Sequence, residues 1–318
     1  MTVPPTSPRI ALCVPAYNAA GLLPRLFASV EAQTEPFDEV WVYDDASSDD
    51  TEAVASAWGA SVIKGGVNVG CSAGKNALLA RIQSEWVHFH DADDSLNPEF
   101  VARARRRTAA AEFDVLLFDY EQVDQESGLR ISRSDFSKST VLQDPIRYLL
   151  RETINNGGVY STAMLRRTGG FDDDAEVLFN EDRAFHLRLA ENQARFAVEP
   201  YVASRFYFNP KSMSATNQLK CSLANQEITR RFAERHPGSY ELEISDQSWK
   251  NAGILASHLD WPAADAAAGL AVASAGRIPR ESGPAFRLLC AIGPGFALRV
   301  RERLIRLFKA PLRKGYAR

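Results

Sequence analysis

Up to about Asn209 this chain alternates short apolar runs with amphipathic helical stretches, and that alternation admits few folds. Ile10–Val14, Glu39–Tyr43, Ser61–Lys64, Trp86–His90 and Val115–Tyr120 are β-branched or aromatic runs of strand length. Between the first two, Leu22, Leu23, Leu26, Phe27 and Val30 recur at helical spacing, so one helix face packs on a sheet. A second helix follows Tyr43, where Asp49 and Glu52 have capping-box spacing, and a third spans about Ser72–Gln83. Strands alternating with helices give an α/β fold: a Rossmann-like layered domain with a mostly parallel central sheet. Asp124–Ser139 reads as a hairpin or a mobile loop, and Arg195–Val198 and Val202–Phe208 as two further short strands. Beyond Ser214 the composition turns helical, with Gln218–Arg235 and an Ala-rich stretch at Ala263–Ala275. The expected division is 1–215 for the α/β domain and 216–318 for a helical C-terminal extension.

Composition removes several classes of function. A net charge of −3 gives no pull toward nucleic acid. The four cysteines are scattered without a Cys-x-x-Cys spacing, which points to neither a zinc site nor a disulfide framework and favours a reducing compartment. Met1–Pro8 lacks the basic-then-apolar pattern of a signal peptide. Leu288–Leu298 is too short to span a bilayer and is interrupted by Gly293-Pro294-Gly295. A cytoplasmic protein is expected.

The chemistry concentrates at strand ends. Asp91-Ala92-Asp93-Asp94 sets three carboxylates where the Trp86–His90 strand stops, and Asn97-Pro98 reads as a helix cap followed by Pro at the first helical position. Carboxylates packed this tightly suit a hard divalent cation and, through it, a diphosphate; a solvated acidic loop is the plain alternative. Three other polar segments follow the earlier strands: Pro15-Ala16-Tyr17-Asn18, Asp44-Asp45-Ala46-Ser47, and Asn68-Val69-Gly70-Cys71-Ser72-Ala73-Gly74-Lys75-Asn76. In a parallel sheet all four lie on one edge and form one cleft. Asp45 there can accept N–H groups of a nucleobase, glycines let the backbone approach a ribose or phosphate, and Lys75 brings positive charge to a diphosphate.

The order of these segments resembles glycosyltransferase family 2 on a GT-A fold. The resemblance covers roughly the first two thirds of the chain. It implies an inverting transferase that takes a sugar from a nucleotide sugar, most often a UDP-sugar, with Mn²⁺ or Mg²⁺. The sugar would pass to a glycan or lipid-linked acceptor in cell-envelope or extracellular glycan synthesis. By the same resemblance Pro15, Tyr17 and Asn18 surround the nucleoside, and Asp45 reads the base. Asn68 and Gly70 line the donor, Lys75 and Asn76 lie near the nucleotide, and Asp91, Ala92, Asp93 and Asp94 contact ribose and metal. The catalytic base falls on Asn180-Glu181-Asp182, with Asp182 as the base and Glu181 as its competitor. Arg205, Tyr207 and Asn209–Ser214 resemble a late loop that closes over the donor phosphates. Two departures stand out: Ala46 where the family has Gly, and His90 where an apolar residue is usual. The alternatives are nucleotidyl transfer onto a sugar phosphate and a non-catalytic nucleotide-sugar-binding protein. The first normally needs a Gly-rich basic loop after the first strand, which Pro15–Asn18 does not supply.

The tail adds a separate feature. Arg299, Arg301, Arg303, Arg306, Lys309, Arg313, Lys314 and Arg318 face one acid, Glu302, with Leu298, Leu304, Ile305, Leu307 and Phe308 interleaved. An apolar stripe beside a basic one suits an anionic membrane surface, peripheral on the inner face of the cell membrane. A helix docked on its own domain with a solvated basic face fits the same pattern.

Overall fold

The computed structural model describes residues 7–110, 112–155, 157–209, 216–276, 278–279 and 282–313. They form two compact units, one of Met1–Leu149, Ile154–Asp173 and Glu181–Ser212, the other of Leu150–Thr153, Asp174–Asn180 and Met213–Arg318.

The first unit carries the sheet. Strands β1 (Ile10–Ala16), β2 (Glu39–Asp44), β3 (Ser61–Lys64) and β4 (Trp86–Phe89) run parallel in the order β3-β2-β1-β4. Asp44 stands opposite Ala16 on one side and Lys64 on the other, so the strand ends finish flush at one edge. Strand order reverses between β1 and β4, and a crevice opens at such a point in a parallel sheet. Past β4 the sheet changes character. The strand β8 (Gly158–Ser161) pairs antiparallel with β4 and with β6 (Val115–Asp124). On its other side β6 pairs parallel with β9 (Phe196–Phe208). A two-residue strand, β5 (Ser95–Leu96), lies antiparallel on β9, and β7 (Arg130–Arg133) makes a hairpin with β6. The parallel pairing expected from the sequence therefore holds where the cleft is, and the rest is mixed.

Helix α1 (Leu23–Glu31) buries Leu23, Leu26, Phe27 and Val30, as their spacing predicts, and Phe27 stacks on Trp58 at 4.3 Å. Each such side chain contributes about 1.5–3 kcal/mol by burial, so Leu26→Ala would cost at least that. In α2 (Thr51–Trp58) the capping-box expectation fails: Asp49 accepts from Thr51 N–H, while Glu52 pairs with Lys64. The helix expected over Ser72–Gln83 is α3 (Cys71–Leu79). Asn97 does not cap a helix either. Its amide donates to the carbonyl of Val202 at 2.6 Å, tying the end of β5 to β9, and α4 (Phe100–Thr108) begins three residues later. Three further helices complete this unit: α5 (Pro145–Leu149), α6 (Thr162–Thr168) and α7 (Glu181–Glu191). The two short strands expected after Arg195 are one strand, β9, whose register against β6 shifts around Pro200 and Tyr201. Proline has no N–H to give the ladder, so the strand bulges there.

The second unit is helical: α8 (Gln218–Arg235), α9 (Glu241–Ser257), α10 (Trp261–Ala275), α11 (Pro284–Ile292) and α12 (Pro294–Phe308). Its core joins Trp249, Ala252, Leu255 and Ala256 to Ala264, Ala267, Ala268, Ala271 and Leu298. Small residues on facing helices allow close backbone approach. No described helix is long and apolar enough to cross a membrane.

Candidate active site

The loops after β1 and β2 are laced together. Ser47 Oγ accepts from Asn18 N–H at 2.9 Å, and Asn18 Oδ1 accepts from the N–H of Ser48 at 2.9 Å. Thr51 Oγ1 accepts from Ala19 N–H at 2.8 Å. Asn18 takes φ +49°, a conformation that Asn tolerates, and α1 starts only at Leu23, so Asn18 is a loop staple and not a helix cap. Tyr17 stays 54% exposed at the lip of these loops, available to stack on a ligand. Pro15 lies opposite Tyr43 on β2.

Asp45 has another job in this structure besides any contact with a base. It is buried, and its two carboxylate oxygens accept from Val69 N–H at 2.7 Å and Gly70 N–H at 2.8 Å. Asn68 Nδ2 reaches the Asp45 carbonyl at 3.4 Å. Asp45 thus ties the loop after β3 to the loop after β2. Gly70, with φ +87° and ψ 167°, holds a conformation open in practice only to glycine, and it presents its N–H to Asp45. Gly74 serves packing: a Cβ there would lie 2.8 Å from the Tyr43 ring, so α3 seats directly on β2.

Asn76 and Lys75 both hold protein partners in this structure. Asn76 is clamped to Phe171, donating to its carbonyl at 3.0 Å and accepting from its N–H at 2.8 Å. Lys75 is 1% exposed, and its Nζ lies 3.5 Å from Asp182 Oδ1. A helix-opening lysine and the asparagine beside it read from sequence as nucleotide contacts. Here their partners lie about a hundred residues downstream, beyond any local signal.

The acidic turn divides its labour. Asp91 is exposed, Ala92 is buried, and Asp93 is half-buried under the guanidinium of Arg25, which donates to the Asp93 carbonyl. Asp94 is buried, with Oδ1 accepting from Tyr207 N–H at 2.9 Å. Burial, then the charges of Asp93 and Asp91, push the Asp94 carboxyl up to about 9. Asp93 is raised as well, by burial and by Asp91. Among the described residues no three metal-ligating side chains stand ready-made around one point. Even so the donor set suits a hard cation: carboxylate oxygens whose ionisation is penalised by burial and by one another, against which the Tyr207 N–H and the Arg25 guanidinium are only a partial offset. Arg25 also lies 3.8 Å over the Tyr207 ring, a role no sequence pattern announces for a residue on the polar side of α1. Arg205, expected near donor phosphates, is paired with Glu121 at 2.7 Å, and Pro210–Ser214 lie outside the described residues.

His90 follows from an ordered chain of rings. The Gly158 carbonyl can only accept, so His88 Nδ1 donates to it at 2.8 Å. His88 Nε2 then accepts from His90 Nδ1 at 3.0 Å, which leaves His90 Nε2 a lone pair, buried and without a hydrogen-bond partner among the described residues. Burial holds both rings neutral, with pKa values near about 3.

At the start of α7, Asp182 meets the same region. Burial raises its carboxyl to about 7, against the pull of Lys75 and with added push from Glu181 and Asp91. Its carbonyl accepts from His186 Nδ1 at 2.7 Å, and His186 Nε2 in turn accepts from the buried Tyr160 hydroxyl at 2.9 Å. Neither Tyr160 nor His186 is visible as a site residue in the sequence, because they act on the backbone of Asp182 from β8 and from the next turn of α7.

A parallel half-sheet with a polar edge, continued by antiparallel strands past β4, is the architecture of a GT-A fold. Among solved structures, Staphylococcus aureus TarS 1–349 in complex with UDP-GlcNAc superposes with a TM-score of 0.69 at 21% identity, covering 94% of this chain and 92% of that one. The mannosyltransferase PcManGT from Pyrobaculum calidifontis in complex with GDP-Man and Mn²⁺ gives 0.59 at 21% identity, covering 96% and 89%. The longer TarS chain is spanned over 55% of its length. Residues 11–170 match the model of glycosyl transferase family 2, and the chain belongs to that family. The succinoglycan biosynthesis protein ExoO of Rhizobium meliloti (strain 1021) is 25% identical over 248 residues, 71% of this chain and 69% of its own. The poly(ribitol-phosphate) beta-N-acetylglucosaminyltransferase TarS of Staphylococcus aureus (strain Mu50 / ATCC 700699) is 26% identical over 201 residues, 60% of this chain and 34% of its own.

Proposed function

We propose that this glycosyltransferase moves a sugar from a UDP-sugar to an acceptor hydroxyl of an envelope or extracellular glycan, or of its lipid-linked precursor, with inversion. One observation carries the reading. Asp182 comes from far downstream to the edge where β4 ends, close enough to Asp91 and Lys75 to feel both charges. A carboxyl with a pKa near 7 beside a donor cleft is a base matched to neutral pH. Asp182 takes the proton of the acceptor hydroxyl as that oxygen forms a bond to the anomeric carbon. The bond to the nucleoside diphosphate breaks on the opposite side, and the diphosphate leaves with the electron pair. A single displacement inverts the centre and needs no covalent intermediate. Glu181, one residue earlier in the first turn, is the competing base.

Tyr17, the Asn18 staple and the Asp45-tied loop bearing Asn68 and Gly70 form the nucleoside side of the cleft in this reading. Asp91, Asp93 and Asp94 would hold Mn²⁺ or Mg²⁺. That ion supplies charge to offset the departing diphosphate. The names of ExoO and TarS support the glycan class, and the UDP-GlcNAc and GDP-Man complexes support a nucleotide-sugar donor. Peripheral attachment to an anionic membrane belongs to the same reading, and what supports it is that α11 and α12 expose Leu288, Ile292, Leu304, Leu307 and Phe308 among basic residues.

Release of nucleoside diphosphate from UDP-glucose, UDP-galactose, UDP-GlcNAc and UDP-GalNAc, with Mn²⁺ or with EDTA, tests the reaction. Release from at least one donor, lost in EDTA and in Asp182→Asn while donor affinity persists in the variant, is the expected outcome. Full turnover in EDTA would remove the metal from the scheme. Full turnover by Asp182→Asn would remove the base.

A further inference from the structure

Lys75 is a lysine with nowhere to go but Asp182. It lies in the second turn of α3, and its side chain turns inward and is 1% exposed. Its Nζ lies 3.5 Å from Asp182 Oδ1 and 4.9 Å above the Phe171 ring. That ring is fixed from two directions: the Asn76 clamp holds its backbone, and Phe185 of α7 stacks on it at 3.9 Å and 4°. Adjacent residues of α3 therefore do complementary work. Asn76 builds the aromatic wall, and Lys75 lies along it to reach the carboxylate.

We infer that Lys75 is a positioning residue for Asp182, its buried ammonium fixing the carboxylate and keeping its charge. The inference rests on the reading of Asp182 as the base. Asp182 faces Lys75 from α3, Glu181 from its own helix, Asp91 from the turn after β4, and the neutral ring of His186, which Tyr160 holds. Lys75 is the cation of that set. Burial, Glu181 and Asp91 each drive Asp182 toward protonation, and Lys75 opposes them. Without it Asp182 would carry a proton at neutral pH and could not accept another. The dependence runs both ways: burial works against charge on Lys75, and Cys71, Asp182, Asp91 and Glu181 more than offset it, leaving its pKa well above the ordinary lysine value.

The coupling can be read directly in the full chain without knowing the acceptor. With aspartate labelled at the carboxyl carbon, the Asp182 signal is identified by its absence in Asp182→Asn and titrated by ¹³C NMR. Lys75→Met should raise its midpoint by about one pH unit or more, and Lys75→Arg should bring it back toward the wild-type value. The acid limb of kcat/KM for the donor that turns over should move up with it, a change that a merely structural role for Lys75 would not cause. Asp182→Asn supplies the reciprocal measurement with Lys75 intact: the Lys75 Cε signal should titrate at lower pH than in wild type. An unmoved Asp182 midpoint in Lys75→Met, or an unmoved Lys75 titration in Asp182→Asn should the first variant fail to fold, overturns the inference. The two readings fail separately. Asp182→Asn that still transfers sugar removes the base and leaves the coupling standing, whereas absent coupling removes Lys75 and leaves the base.

Discussion

Ala46 carries backbone strain in the loop after β2. Its φ is +59°, where an L side chain costs about 1–2 kcal/mol and glycine costs nothing sterically, while glycine's extra unfolded-state freedom costs about 0.5–1 kcal/mol. The first effect outweighs the second, so Ala46→Gly should stabilise the chain by several tenths of a kcal/mol to about 1 kcal/mol, read as a higher urea midpoint at unchanged m. A lower midpoint would mean that the neighbouring hydrogen bonds, not the torsion, set the balance. Asp45 beside it makes a sharper case. Because both oxygens hold backbone N–H groups of the β3 loop, Asp45→Ala should weaken UDP binding about tenfold or more in calorimetry by loosening that loop. Asp45→Asn keeps one acceptor and should fall between the two. Equal UDP affinity in all three proteins would dissociate this loop from the donor site. The residues of the edge were legible from the sequence by type and order, and the departure at Ala46 was legible too. Their partners were not, since the contacts of Asn76 with Phe171 and Lys75 with Asp182 depend on which helices the sheet brings together.

Element lengths explain which parts of the fold the sequence discloses. Long periodic stretches declare themselves: Gln218–Arg235 forms α8 over that full span, and the break at Gly293-Pro294 separates α11 from α12. Strand β5 has only two residues, and β8 (Gly-Val-Tyr-Ser) is bounded by turn-forming residues, so neither declares itself in the sequence, and both pair antiparallel where the sheet turns mixed. The C-terminal pair is the element with unmatched surface. α11 has no buried residue, and Leu288, Ile292, Leu307 and Phe308 are exposed by 72–79%. Glu302, the acid of α12, is already bonded to Arg306, so the exposed Arg301, Arg303 and Lys309 leave this surface cationic. Lys314 and Arg318 lie outside the described residues. Apolar side chains set among cations fit an anionic bilayer surface, where burial and charge act together. Full-length protein should co-sediment with vesicles containing phosphatidylserine at low salt and less so at high salt. Leu307→Glu with Phe308→Glu should abolish this while leaving donor turnover intact. Sedimentation equal to that of the variant, or equal on neutral phosphatidylcholine vesicles, would assign the face to a protein partner or a second copy.

Across the whole molecule, the buried ionisable groups of the site work against one another as pH changes. Asp94 and Asp182 have folded-state pKa values raised to about 9 and about 7, so the folded protein binds their protons before the unfolded chain does, and stability on their account grows as pH falls. His88, His90 and His186 are held neutral, at about 3, about 3 and about 4, so on their account stability is full above the unfolded value near 6.5 and declines as pH falls below it. Each group contributes a slope of about 1.4 kcal/mol per pH unit within its own window. Between pH 6.5 and 4 the three histidines outweigh the two carboxyls by one proton, a shallow loss on acidification. Asp94 and Asp182 are thus a standing cost at neutral pH, which a bound cation would relieve. Asp94→Asn isolates the effect, because the amide oxygen can still accept from Tyr207 N–H. In EDTA the variant should match the wild type below about pH 3, where the unfolded carboxyl, at about 3.9, is protonated as the folded one is. Its advantage in urea midpoint should then widen steadily as pH rises toward 8, and Mn²⁺ should stabilise the wild type more than the variant. Parallel stability curves for the two proteins across that range would show that Asp94 ionises as an ordinary carboxylate and bears no such cost.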